Sequence, residues 1–311
     1  MISLTAAAGA LAAAGGLVPG RGQDKAPDRP RAVATFSILG DLVSNVGGER
    51  VQLATMVGAN GDVHVYAPTP GDVKTIAAAD VVFVNGLGLE GWLDRLITAA
   101  ATRAPIVVTS RGVAPHSGPV GHHRVASDPH AWQSVANAKI YVGNIRDGLS
   151  AIDPTGESIY RGKAAVYLAA LDTLDDEIKA AIESIPAARR KIITTHSSFG
   201  YFADAYGIEF IAPEGLSTEA EPSPRDVARL IDQIRREKIP AVFIENVADP
   251  RLLQRIAVET GARIGGTLYS DALSPPDGPA ATYIDLLRHN VREFTKGLRA
   301  DAELIANLTL A

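Results

Sequence analysis

The sequence predicts an α/β fold of two parallel-sheet α/β lobes joined by a single long helix, with a ligand site in the cleft between the lobes. Three observations predict it. Short apolar runs alternate with amphipathic segments over about a hundred residues, and the same grammar repeats in the second half. Between the halves one segment keeps an unbroken three- and four-residue apolar period. The chain, at 311 residues, is also too long for one small core.

The elements follow in order. Met1 to Gly20 is small and apolar and the chain is then polar to Arg31, so residues 1–30 read as a signal peptide and a flexible mature start. No Lys or Arg precedes that apolar run, which departs from the usual pattern. Residues 31–152 form the first lobe. It has strands over Ala32–Phe36, Val51–Val57, Val81–Asn85 and Ile106–Thr109, and helices over Ile38–Val46, Pro70–Ala79 and Trp92–Ala101. Gly47-Gly48 ends the first helix, and Asp72 sits in the first turn of the second.

Residues 153–186 form the linking helix. Asp153-Pro154 starts it, Pro186 stops it, and Ala164, Tyr167, Leu168, Leu171, Leu174, Ile178, Ile182 and Ile185 make one stripe. About 32 residues at 1.5 Å each give roughly 48 Å, the length of both lobes. A single rigid connection of this kind predicts limited lobe motion. Residues 187–311 form the second lobe, with strands at Lys191–Thr195, Glu209–Ala212, Pro240–Glu245 and Arg263–Leu268. Its helices are Phe199–Tyr206, one opened by Ser223-Pro224-Arg225-Asp226 with Val227, Leu230, Ile231 and Ile234 on one face, and one opened by Asp249-Pro250.

Composition narrows the function. A net charge of −5 offers no basic footprint for nucleic acid. No apolar stretch reaches the roughly 20 residues of a bilayer span. The absence of cysteine excludes disulfides, thiolate ligands and a lipid-modified cysteine, so a soluble form without a lipid anchor is expected.

Four side chains carry the chemistry: His64, His130, His196 and Asp271. Each lies where a strand or loop gives way to the next element. Singly, each has an ordinary reading. His64 could be a surface-loop residue, His130 part of a turn stabilised by Asp128, and Asp271 a cap before Pro275-Pro276. His196 tips an apolar strand, where an unpartnered polar group is costly. Together, two from each lobe, they make a candidate metal site of three imidazoles and a carboxylate, suited first to zinc. A site filled by four protein ligands holds a metal, whereas a catalytic site keeps one position open.

Two further motifs compete. Gly86-Leu87-Gly88-Leu89-Glu90-Gly91 fits a dinucleotide-binding pattern, but the next strand ends Val107-Val108-Thr109-Ser110-Arg111 without the acid for the ribose, so it reads as a tight turn. Glu245 ends a strand and reads as a buried partner of an imidazole or of backbone groups. In a zinc hydrolase built on the three histidines it would instead be the base.

Several segments together resemble the periplasmic substrate-binding proteins of ABC transporters for zinc and manganese. They are Phe36-Ser37-Ile38-Leu39-Gly40-Asp41-Leu42, Asp62-Val63-His64-Val65-Tyr66, Asn85-Gly86-Leu87-Gly88-Leu89-Glu90, Asp128-Pro129-His130-Ala131-Trp132, His196-Ser197-Ser198-Phe199-Gly200-Tyr201-Phe202 and Asp271-Ala272-Leu273. The resemblance implies metal held between the lobes by His64, His130, His196 and Asp271. It implies no enzymatic activity, and delivery of the ion by a periplasmic monomer to an inner-membrane ABC permease, with a periplasmic metallochaperone as a further candidate partner. His196 points to Zn2+, because members resembling manganese importers tend to carry glutamate there. Mn2+ or mixed binding stays the alternative, since the segment holding His116, His122 and His123 is shorter than the His-rich loop of many zinc importers. A periplasmic metal buffer or surface adhesin is the remaining non-enzymatic reading.

Overall fold

The structure, a computed structural model, describes Met1 and residues 29–120, 124–219, 222–239 and 241–309. The expected signal peptide, apart from Met1 and its last two residues, and His122 and His123 lie outside the described residues.

The first lobe opens with strand β1 (Arg31–Phe36), helix α1 (Ser37–Gly47), β2 (Gln52–Val57), α2 (Pro70–Ala77), β3 (Val81–Val84), α3 (Leu93–Ala100) and β4 (Ile106–Val108). All four strands run parallel in the order β2-β1-β3-β4. β1 and β3 are buried almost throughout, because helices cover both faces of the sheet. Thr69 and Asp72 close a reciprocal capping box at the start of α2, with Pro70 at its first position.

Two elements after β4 are absent from the sequence reading. Strands β5 (Ser117–Val120) and β6 (Arg124–Ser127) pair antiparallel as a separate two-stranded sheet. Helix α4 (Val135–Ile152) then buries Val135, Ala138, Tyr141, Val142, Ile145 and Leu149. Gly148 lets it lie close on the sheet, since a Cβ there would come within 3.0 Å of Phe83 and Val107 side-chain atoms.

The long connection is present. A single 3-10 turn at Pro154–Gly156 leads into α5 (Glu157–Glu183), which buries Tyr160, Ala164, Tyr167, Leu171, Leu174, Ile178 and Ile182. Its 27 residues span roughly 40 Å. Asp153, which ends α4, accepts from Arg50 Nε at 2.5 Å and from Tyr160 Oη at 2.6 Å, pinning the junction to the first lobe.

The second lobe repeats the first. It comprises β7 (Lys191–Ile193), α6 (Gly200–Tyr206), β8 (Glu209–Ile211), α7 (Pro224–Glu237), β9 (Ala241–Glu245), α8 (Arg251–Thr260) and β10 (Arg263–Leu268). Its parallel order β8-β7-β9-β10 is the same two-one-three-four arrangement as in the first lobe. A last helix, α9 (Tyr283–Thr309), returns to pack on β10 and α5 and is likewise absent from the sequence reading. Ser223 caps α7 by accepting from Asp226 N. Ser223→Ala is therefore expected to cost about 1 kcal/mol in urea unfolding; an unchanged midpoint would refute the cap's contribution.

The main core is continuous. Residues of both sheets, from Val33 and Phe83 to Phe243 and Leu268, join one apolar cluster through α4, α5 and α9. A smaller cluster lies under α7 and α8. The lobes are thus welded along one side and meet across a cleft on the other. Among the described residues no helix is long and apolar enough to cross a membrane.

Candidate metal centre

Both sheets direct the carboxyl ends of their strands into the cleft, where open α/β sheets gather ligands. His64 lies in the loop after β2, and its backbone N–H donates to Asp62 Oδ1 at 2.8 Å. The Val63 carbonyl is fixed by Trp92 Nε1 at 2.8 Å. His130 follows Pro129 in a turn closed by Asp128. Asp128 Oδ1 accepts from His130 N at 2.9 Å and lies 2.7 Å from its Nδ1. Asp128 thus stabilises the turn and holds the ring as well. Asn85 steadies the same turn by donating to the Pro129 carbonyl at 2.9 Å while accepting from Tyr141 Oη at 2.6 Å.

His196 follows β7 and Asp271 follows β10. Glu245, at the end of β9, lies beneath His196 as expected. Its Oε1 accepts from the backbone N–H groups of Thr195 and His196 at 2.8 and 3.0 Å. Its Oε2 accepts from Ser198 Oγ at 3.2 Å and stands 2.8 Å from His196 Nδ1.

The structure brings all four candidate residues together. One ligand atom from each of His64, His130, His196 and Asp271 lies within 4.8 Å of all the others, and all four side chains are buried. His64 Nε2 is 3.2 Å from both His130 Nε2 and Asp271 Oδ2, and His196 Nε2 is 3.1 Å from Asp271 Oδ2. A tetrahedron with zinc bonds of about 2.0 Å has edges of roughly 3.3 Å, so these spacings suit one small cation. Neither Asp271 oxygen accepts a hydrogen bond, and both His196 ring nitrogens, though near carboxylates, are outside hydrogen-bond alignment. Buried lone pairs converging without donors are what a cation satisfies.

Electrostatics agree. Burial pushes the Asp271 carboxyl up, but the charges of His196 and His130 outweigh it and hold it well below the carboxylate range. For His196 burial pushes down, and the charges of Glu245 and Asp271 raise it well above the usual imidazole value.

The two lobes grip each other around the site. Trp132 Nε1 and Gln133 Nε2 both donate to the Ser270 carbonyl, at 3.0 and 2.9 Å. Ser37 Oγ accepts from Leu273 N at 2.9 Å, and Thr218 Oγ1 donates to Asp62 Oδ2 at 2.6 Å. Sequence reasoning missed these partners because each joins residues more than a hundred positions apart. His116 stays outside the four-residue set, with Nδ1 2.8 Å from Asp204 Oδ2. The glycine-rich segment is a tight turn. Gly86 has φ +83°, and Glu90 accepts from Asn85 N, Gly86 N and Thr35 Oγ1 at 2.6, 3.2 and 2.8 Å.

Two α/β lobes on one long helix, with three imidazoles and a carboxylate converging in the cleft, have the build of a metal-binding protein. Residues 32–297 match the family described as zinc-uptake complex component A, periplasmic, and the chain belongs to it. Among its relatives is the manganese-binding lipoprotein MntA of Halalkalibacterium halodurans, 35% identical over 93% of this chain and 95% of that protein. Another is the manganese ABC transporter substrate-binding lipoprotein PsaA of Streptococcus pneumoniae, 30% identical over 90% and 92%. The solved periplasmic zinc-binding protein TroA of Treponema pallidum superposes with a TM-score of 0.81, at 29% identity over 87% of this chain and 99% of that one. The family is one of transport binding proteins, not enzymes, so the hydrolase reading falls and an ABC permease is the implied partner.

Proposed function

We propose that this protein carries zinc, held by His64, His130, His196 and Asp271, to the permease. The observation that carries the reading is the donor set: three buried imidazole nitrogens against one buried carboxylate, converging within 4.8 Å of one another. The continuous core and the hydrogen-bonded seam support capture and release with limited lobe motion. Nothing in this role needs a partner copy, and a monomer is expected by size-exclusion chromatography.

Manganese is the second reading, favoured by the names of the relatives. Binding competition in solution discriminates poorly, because almost any such site prefers zinc to manganese. The deciding measurement is metal analysis of protein isolated from its native compartment. Close to one zinc per chain is expected; stoichiometric manganese would overturn the assignment. Fractionation in the same preparation bears on anchoring: relatives named lipoproteins favour a membrane-tethered form, and recovery in the membrane fraction would support it.

A further inference from the structure

Glu245 is a carboxylate with only 1% of its surface exposed, placed behind one of the candidate ligands. Its two oxygens face four donor groups. Oε1 takes the backbone N–H groups of Thr195 and His196, while Oε2 takes Ser198 Oγ and faces His196 Nδ1 at 2.8 Å. An ionised carboxylate only accepts. A ring nitrogen 2.8 Å from it is satisfied only by carrying a hydrogen. In the neutral ring the lone pair is then on Nε2, the atom 3.1 Å from Asp271 Oδ2 and directed into the four-residue set.

No neutral isostere does this. Glutamine has one accepting oxygen and one donating nitrogen. If the oxygen stays on the two backbone N–H groups, the amide N–H2 faces Nδ1 and favours the tautomer protonated on Nε2. If the amide turns over, its N–H2 collides with the backbone donors. Either way a donor meets a donor, or the hydrogen moves to the atom that must be bare. The first lobe shows the same device: Asp128 Oδ1 accepts from the His130 backbone N–H and lies 2.7 Å from Nδ1.

Building on the zinc-binding reading, we propose that Glu245 is a positioning residue for the cargo ion: it fixes His196 as an Nδ1–H donor and thereby presents Nε2 to the metal. Partners of this kind behind a metal-bound imidazole are worth roughly 10- to 100-fold in affinity. Calorimetry with zinc chloride on the chelator-stripped full chain should show Glu245→Gln binding weaker by that factor. NMR of the histidine ring nitrogens in the zinc-loaded wild-type protein should place a hydrogen on His196 Nδ1 and zinc on Nε2.

Equal zinc affinity in Glu245→Gln and wild type overturns the inference while leaving the zinc reading intact. Zinc on Nδ1 in the wild-type spectrum does the same, and it decides the matter if the variant does not fold. A wild-type chain that takes up no zinc overturns the zinc reading itself, and this inference falls with it.

Discussion

Asp271→Asn is expected to abolish useful metal binding while leaving the fold in place. Asp271 is the only carboxylate among the four converging residues, and the Nε2 atoms of His64 and His196 lie 3.2 and 3.1 Å from its Oδ2. Structural zinc sites with four ligands supply roughly 10–16 kcal/mol, so one ligand's share is roughly 3–4 kcal/mol, or about 10²- to 10³-fold in affinity. The anionic ligand's share should lie at the upper end, because it alone offsets part of the cation's charge. Asparagine keeps the shape and one carbonyl oxygen, so a loss of affinity reports charge and not a cavity. Thermal melting gives a second readout. Zinc at a thousand times its dissociation constant stabilises a binding protein by about 4 kcal/mol, and that zinc-dependent rise should vanish in the variant. His64→Ala, His130→Ala and His196→Ala should follow the same pattern. A chain that still binds one zinc with wild-type affinity after the Asp271 change would show that the four residues are not the site.

The candidate site was legible in the sequence as a set and not residue by residue. His196 lies beyond the buried run Ile192-Ile193 and Asp271 beyond Leu268, each at a strand's carboxyl end, but their flanks Thr194-Thr195 and Tyr269-Ser270 are ordinary loop sequence. The linking helix was legible because a stripe from Ala164 to Ile182 faces one core. Helix α4 was harder to see, since Gly143, Asn144 and Gly148 interrupt the pattern. The reason for Gly148 is the sheet lying against it, which is information from far along the chain. Helix α9 has a regular stripe in Leu286, Leu287, Val291, Phe294 and Leu298, with Thr282 and Asp285 hydrogen-bonded at its start, so its sequence carries a helical signal of its own. What no local pattern could reveal is pairing across the cleft. The Ser270 carbonyl that receives Trp132 and Gln133 has no signature in its own neighbourhood.

A pairing of that long-range kind sets the second large prediction. Asp41, on α1, is half-buried where α1, α5 and the start of α9 meet. Its Oδ2 accepts from Tyr283 N at 2.9 Å and from Tyr167 Oη at 3.5 Å. Burial is the dominant influence and raises its carboxyl to about 6, although the hydrogen bonds from Tyr283, Asn45 and Tyr167 pull the other way. In the unfolded chain the same group titrates near 3.9. For an acid displaced upward, the unfolded chain loses its proton first as pH rises, so between about pH 4 and 6 the native state holds more protons. Stability must therefore fall as pH rises through that window, by about 3 kcal/mol for a displacement of this size. Asp41→Asn is neutral at every pH and keeps a carbonyl oxygen for Tyr283 N. Urea unfolding of the metal-free protein at several pH values from 4 to 7 should show the two chains converging at the acid end. At neutral pH the variant should be more stable by up to about 3 kcal/mol, less whatever its new amide N–H2 costs if it finds no acceptor. Taking the difference between the chains removes every other group that titrates in the same range. A difference that stays constant across the window would mean that Asp41 is ionised in the folded protein with an ordinary acidity, and that the junction of the two lobes holds its charge without cost.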